Sequence, residues 1–423
     1  MKLLLAGEND TLYAHPFLRA AGMAGEEPVA LRSGAPVAYG TRLMSMPGWD
    51  AVGFDPGSGS FETVQEIKLG RRWRRVFAVA AVPPPGYLRL LLPGAKRTPA
   101  APLLPLWAYT AAGAAARGEI MATLRVDRRR RWDTACYDTP ALAPAIEAWK
   151  KRYPKNRIVA QLARCATEYF CSTARNLFLG RYEAALPLAR ACNSRCVGCI
   201  SKRHGGHPCS QERIGFSPSA DEAVDVAARH LSRARDPVVS FGQGCEGEPL
   251  TAATLVEEIV RRTRAETPQG VFNMNTNGSL PSAFERLVKA GLGSVRVSLS
   301  SAVAGNYDAY FRPRGYSLSD VKRTIRLSAR RGVFTSINLL VFPGVTDTKG
   351  ETEAFVDLVE ETGANFIQLR NLSIDPSLYP VRGMKLDGAA FGMSEWLRLV
   401  KEALPRVGFG CYNPTPSEIR RWT

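Results

Sequence analysis

The stretch EAALPLARACNSRCVGCIS, residues 183–201, runs from a short apolar segment into three cysteines, Cys192, Cys196 and Cys199, spaced C-x3-C-x2-C. The apolar segment reads as a strand, so the cysteines fall on the loop at its carboxyl end, where barrel enzymes carry their chemistry. Downstream, short apolar runs alternate with amphipathic helical patterns. A helix is expected from about Ser219, whose pairing with Glu222 has capping-box spacing. Then come VVSF (238–241), a helix near 251–265, VFNMN (271–275), a helix near 281–290 and VRVSL (295–299). The pattern continues with a helix near 319–331, FTSINLLVF (334–342), a helix near 351–362, FIQL (366–369) and a last helix near 393–403. Such alternation predicts βα units around a parallel sheet. Six units are too few for a closed eightfold barrel, so the expected fold is α/β, a partial (β/α)6 TIM-like barrel.

Outside that core the sequence changes character. Residues 1–135 are dense in proline and glycine without clean alternation, and predict an additional amino-terminal α/β or β-rich domain that serves substrate recognition. Residues 136–183 read as a helical linker, 184–375 as the barrel core and 376–423 as a carboxyl-terminal extension. No internal repeat at a fixed period is apparent.

The 423 residues are 45% hydrophobic and 22% charged, which excludes a disordered or fibrous chain. Of the formal charge of +17, +12 falls in residues 1–190. The runs RRWRR (71–75) and RRRR (128–131) stand there, and such a field suits either a polyanionic partner or simply a solvated basic face. The start, MKLLLAGEND, lacks the pattern of a signal peptide, and the apolar stretches around Pro83–Pro85 are too short to cross a bilayer, so no membrane association and a cytoplasmic location are expected.

Nine cysteines, three of them within eight residues, argue for metal ligation rather than disulfides. Three thiolates can hold three irons of a 4Fe–4S cubane and leave the fourth iron open to a small molecule, whereas clusters that only transfer electrons take four protein ligands. The plainer alternative is zinc, with His204, His207 and Cys209 completing a tetrahedral site.

The cysteine motif and the units after it, residues 184–375, resemble the radical S-adenosylmethionine (SAM) superfamily. The resemblance extends to segments at successive strand ends. SFGQGCEGEPL matches the family's Gly-Glu-Pro segment at Gly247, Glu248 and Pro249, which implies that Glu248 meets the SAM amino group. NMNTNGS resembles the family's Thr-Asn-Gly turn at Thr276, Asn277 and Gly278. In VRVSLSSA, Ser298 and Ser300 stand where relatives contact the SAM ribose and carboxylate, although many have aspartate at the position of Ser300. Arg312 and Arg314 of FRPRG are candidates to clamp a carboxylate, and Asn338, Gln368 and Arg370 are candidates for the cofactor pocket.

The resemblance implies an oxygen-sensitive enzyme that cleaves SAM reductively at the cluster, generating a 5′-deoxyadenosyl radical that abstracts hydrogen from substrate. It implies an electron donor such as flavodoxin or ferredoxin. An apolar-lined barrel of modest charge favours a small-molecule substrate over RNA or a peptide recognised by the basic amino-terminal region. A non-catalytic zinc- or metal-binding protein gives no reason for the SAM-contact segments.

The chain departs from several relatives in lacking a cysteine-rich carboxyl-terminal block. Its remaining cysteines read as buried thiols, or else Cys165, Cys171 and Cys209, with Cys136 or Cys411, hold a second iron–sulfur cluster. Cys245, inside GQGCEGEP, is a candidate hydrogen-atom donor or merely a loop residue.

Overall fold

The computed structural model describes residues 1–202 and 209–421. Its central sheet has seven parallel strands in sequential order: β1 (Arg181–Ala185), β2 (Arg235–Phe241), β3 (Val271–Thr276), β4 (Ser294–Leu299), β5 (Phe334–Val341), β6 (Phe366–Asn371) and β7 (Gly408–Gly410). Among the described residues β1 and β7 do not pair, so the sheet curls into a partial barrel as expected. The first six strands match the apolar runs of the sequence, while β7 is an addition to them.

Helices Ala220–Arg233, Ala253–Glu266, Pro281–Ala290, Leu318–Arg330 and Lys349–Thr362 form the crossovers. Their ends carry the chemistry that starts and stops helices. Ser219 and Glu222 form the reciprocal capping box, and Gly291 and Gly363 follow their helices at φ +117° and +73°, the left-handed conformation that favours glycine. Along the central strands one face is consistently apolar. Phe272 and Met274, Val295 and Val297, Ile337 and Leu339, and Ile367 and Leu369 are nearly fully buried in the core with Val256, Leu287, Val321 and Leu358 of the helices. Burying each such side chain contributes about 1.5–3 kcal/mol.

The alternate positions carry Asn273, Asn275, Arg296, Ser298, Asn338, Gln368 and Arg370, along with the apolar Val271, Phe334, Leu340 and Phe366. Register sets Asn275 beside Arg296, and Ser298 beside Asn338 beside Gln368. The apolar-lined barrel expected from sequence is therefore corrected. The apolar runs identified the strands, but most of their apolar members serve the helix-facing side, and the lumen is mixed, with Asn275, Arg296, Asn338 and Arg370 beside Leu340 and Phe311.

Before residue 130 the chain is β-rich, with a 13-stranded sheet and a two-stranded ribbon, Tyr87–Arg89 with Thr123–Arg125. Leu3, Leu5, Met46 and Trp49 belong to its own core, whereas Leu88, Leu92 and Leu106 join the core of the barrel. The contact lies beside the carboxyl ends of β5 and β6. The fully buried Arg89 donates to the carbonyls of Tyr109 (2.9 Å), Val341 (3.3 Å) and Leu372 (3.4 Å), and Leu104 N–H donates to Asp375 at 2.9 Å. Helices Leu142–Arg152, Arg157–Thr167 and Ser172–Phe178 then lead into β1. The basic runs are partly structural, since Arg129 and Arg131 pair with Glu418 and Arg75 with Asp50.

Candidate active site at the carboxyl ends of the strands

The cysteine loop is held between two neighbours. On one side Gly247 N–H donates to Ala189 O (2.6 Å) and Glu248 N–H to Ala191 O (2.8 Å). A Cβ on Gly247 would lie 1.9 Å from Ala191 O, so only glycine permits this approach. On the other side Arg195 N–H donates to Phe311 O (3.1 Å), Val197 N–H to Tyr310 O (3.0 Å) and Arg314 N–H to Asn193 O (2.9 Å).

Glu246 ties the loops after β1 and β2 together. Its 3%-exposed carboxylate accepts from four backbone N–H groups: Leu188 and Ala189 at 2.8 Å, Gly242 at 2.5 Å and Gln243 at 3.2 Å. Glu248 is equally buried and accepts from Leu250 N–H (3.0 Å), Thr276 Oγ1 (2.5 Å) and Asn277 N–H (2.7 Å). Burial pushes both carboxyls up to about 7, against the pull of these hydrogen bonds. A carboxylate has about four acceptor sites, so Glu248 retains one. Asn277 turns its side-chain amide to Asn193 (2.8 Å) and Ser194 (2.9 Å), which makes it a brace for the cysteine loop.

Cys192, Cys196 and Cys199 line one cavity of about 320 Å3 together with Gly247, Glu248, Thr276, Asn277, Ser298, Asn338 and Arg370. Of the other residues singled out from sequence, Pro249 starts the 3-10 turn Pro249–Ala252, Gly278 turns the chain at φ +71°, and Gln368 is fully buried, bonded to Asn413. Ser300 Oγ is buried without a partner. Arg314 lines a smaller adjoining pocket beside Cys192, whereas the exposed Arg312 lines neither pocket and caps the helix Ala304–Phe311 at φ 48°.

The donor set fits an iron–sulfur cluster. Burial, then the neighbouring Cys199 and Cys192 thiols, pushes Cys196 well above the usual thiol range, a crowding that coordination to cationic iron relieves. Among the described residues no three Cys, His, Asp or Glu side chains gather tightly enough to hold a single metal ion. A cubane, in which each thiolate meets a different iron, does not require that. His204 and His207 of the zinc alternative lie outside the described residues.

Cys245 is turned away from the cavity and hydrogen-bonds Cys165 in the core, with Cys171 nearby. Cys411 Sγ donates to Leu369 O and Cys136 Sγ to Arg130 O, each at 3.1 Å. Cys165 and Cys245 are thus neighbours rather than separate thiols.

Sequence reasoning passed over Glu246, whose only signal was a second glutamate two residues before Glu248. It also passed over Arg296, visible as a charge in the middle of the strand run VRVSL. Glu183 and Asn413 went unnoticed because their partnership, at 2.7 Å, spans 230 residues.

Residues 186–358 match the family model described as the Radical SAM superfamily. Residues 186–358 are thus a radical SAM domain, and that superfamily is one of enzymes that use a 4Fe–4S cluster and SAM. Over 183 residues the chain is 26% identical to molybdenum cofactor biosynthesis protein 1 of Mus musculus, covering 41% of this chain and 26% of that protein. The match thus spans about a quarter of the length of the curated relatives. Among solved structures, SuiB of Streptococcus suis bound to precursor peptide SuiA aligns with TM-score 0.40 and 13% identity, over 60% of this chain and 54% of that one. The FeFe-hydrogenase maturase HydG of Carboxydothermus hydrogenoformans aligns with TM-score 0.38 and 17% identity, over 66% and 72%. Among the described residues no helix is long and apolar enough to cross a membrane.

Proposed function

We propose that Cys192, Cys196 and Cys199 hold a 4Fe–4S cluster, and that SAM lies across the ends of β2 to β5 against Glu248, the Thr276–Gly278 turn, Ser298 and Asn338. The reading is carried by one observation: all three thiols open into the same cavity as these strand-end groups. When bound and reduced by an external electron donor, cluster and SAM would supply the chemistry of radical hydrogen abstraction. The chain's part is positional. Glu248 offers its remaining lone pair to the SAM ammonium, and Asn277 and Glu246 fix the cysteine loop. A small-molecule substrate suits a cavity of about 320 Å3. On this reading the amino-terminal region, whose Arg89 packs beside the ends of β5 and β6, contributes to its recognition. A macromolecular substrate is the second reading, favoured by Trp73, 63% exposed between the exposed Arg72 and Arg74.

The test is SAM binding and cleavage by anaerobically reconstituted protein. Glu248→Ala is expected to weaken SAM binding by roughly 10- to 100-fold, since a hydrogen bond to a charged group contributes about 1.5–3 kcal/mol. With the Glu248 carboxyl near 7 and an α-amino group titrating at about 7.7–8.0, ionised Glu248 and protonated SAM coexist best between those values. Wild-type affinity should therefore rise from pH 6, peak above 7 and fall toward pH 9, and Glu248→Gln should lose the acid limb. Equal affinity and cleavage in wild type and Glu248→Ala would refute the assignment.

The electron donor is expected at the rim where Arg195, Lys202, Arg213 and Arg314 surround Cys192. None of the four has a carboxylate within 4.0 Å among the described residues. Such a field attracts an acidic flavodoxin or ferredoxin. Reduction by flavodoxin should slow several-fold between about 0.05 and 0.3 M salt, and Arg195→Glu with Lys202→Glu should flatten that dependence. Salt-independent reduction in wild type would place the donor elsewhere.

A further inference from the structure

Two guanidiniums face the lumen without a salt-bridge partner among the described residues. Arg296, at the middle of β4, donates from Nη1 to Gln368 Oε1 at 3.3 Å, and its buried Nε has no acceptor. Arg370, on β6, donates from Nη1 to Cys411 O at 3.1 Å and lies over the Tyr412 ring, 5.8 Å from its centroid. Both line the cavity that holds the three thiols. Among the described residues neither has a carboxylate within 4.0 Å.

The one carboxylate whose field reaches Arg296, that of Glu183, is already engaged by Gln243 Nε2 (3.0 Å) and Asn413 Nδ2 (2.7 Å). It can offset only one of the two charges. Burial, and then repulsion from Arg370, pushes Arg296 down to about 10. A guanidinium is not relieved by deprotonation near neutrality, so two of them in a confined lumen are costly unless an anion joins them. Nearby Asn338 Oδ1 and Asn275 Nδ2 are also buried without partners, which marks a polar chamber and not a packing defect.

We propose that the substrate carries an oxyanion, a carboxylate or a phosphate, that docks between Arg296 and Arg370 inside the barrel. The assignment deepens the reading of this chain as a radical SAM enzyme and rests on it. Planar guanidinium forks match such groups in bidentate fashion. Arg296 sits two residues before Ser298 on the same strand face, and Arg370 two residues beyond Gln368, which aligns with Asn338 and Ser298, so the anion is held across the β6 side of the lumen, beside the strand-end groups assigned to SAM. The rest of the substrate then extends along the lumen toward the site of hydrogen abstraction.

The experiment uses cluster-reconstituted full-length protein saturated with SAM, titrated calorimetrically with inorganic phosphate and, separately, with malonate. One of these anions is expected to bind wild type at millimolar concentration or tighter, which also tells phosphate from carboxylate. Arg296→Gln and Arg370→Gln should each weaken it at least 10-fold, with Arg296→Lys intermediate and serving as the control for folding. Absence of binding by both anions to wild type, or equal binding to the glutamine variants, overturns the proposal. SAM affinity is measured in the same variants. A parallel loss of SAM binding, with no anion bound beside SAM in wild type, would assign the arginines to the SAM carboxylate and likewise overturn it. Failure of the underlying reading looks different: wild type would then hold neither cluster nor SAM, whatever the anions do.

Discussion

Replacing Cys192, Cys196 and Cys199 together by alanine is expected to abolish the broad visible absorption of an iron–sulfur cluster and to leave reconstituted protein with no iron or sulfide. SAM cleavage should fall to background with it. The fold should survive, because the loop's position does not depend on the thiols. Its backbone is bonded to Gly247, Glu248, Tyr310 and Phe311, and Asn277 braces Asn193 and Ser194. Circular dichroism and melting of the metal-free proteins should therefore agree between variant and wild type to within a few degrees. About four irons per wild-type chain, falling to none, is the expected count. Four irons persisting in the variant would demand a second cluster. The contacts of Cys165 with Cys245, of Cys411 with Leu369 and of Cys136 with Arg130 speak against the other cysteines forming one set. Undiminished iron with no second cluster would refute the ligand assignment.

The barrel was legible because its strands carry β-branched and aromatic residues at every second position and its helices carry capping signals at their ends. Ser219 with Glu222 is the clearest, seen first as spacing and then as a formed capping box. Two elements escaped. The helix Ala304–Phe311 reads AGNYDAYF, without a sustained apolar period, and forms where Tyr307 and Phe311 stack in the core at 4.5 Å. Strand β7, only Gly408–Gly410, has too little side chain to show a pattern, and it exists because β6 offers it a paired edge. The amino-terminal region was readable only as different from the rest, since its strands run from two to 13 residues and several pairings join distant segments, as Lys2 does with Ala114. The three cysteines and Glu248 stood out because local spacing carries their signal. The lumen stood out in part, through Ser298, Asn338 and Arg370, while Asn275 and Arg296 did not, because which residues face inward is decided by which face of each strand the helices cover.

Glu246→Gln is expected to be the most damaging single conservative change at the site. The two carboxylate oxygens each accept from two backbone N–H groups, one pair on the loop after β1 and the other on the loop after β2. An amide keeps one oxygen and turns an NH2 toward the other pair of donors, leaving two buried N–H groups without an acceptor. Each unsatisfied buried donor costs about 1–3 kcal/mol. The sum, about 2–6 kcal/mol, is large beside the 5–15 kcal/mol that stabilises a typical domain. Relief by movement is restricted. A Cβ on Gly242 would meet Asn275 O at 1.7 Å, as one on Gly247 would meet Ala191 O, so the backbone there is already packed against its neighbours. The variant should melt well below wild type, and cluster retention should drop because Leu188 and Ala189 lie immediately before the cysteines. Glu248→Gln, with a single donor on one of its oxygens, can turn its amide with the loss of one hydrogen bond and should melt nearer to wild type while losing SAM affinity. Comparing the two variants by calorimetry and by iron content separates the clamp from the cofactor contact. If Glu246→Gln melts and holds iron as wild type does, Glu246 is not the fastening between the two loops.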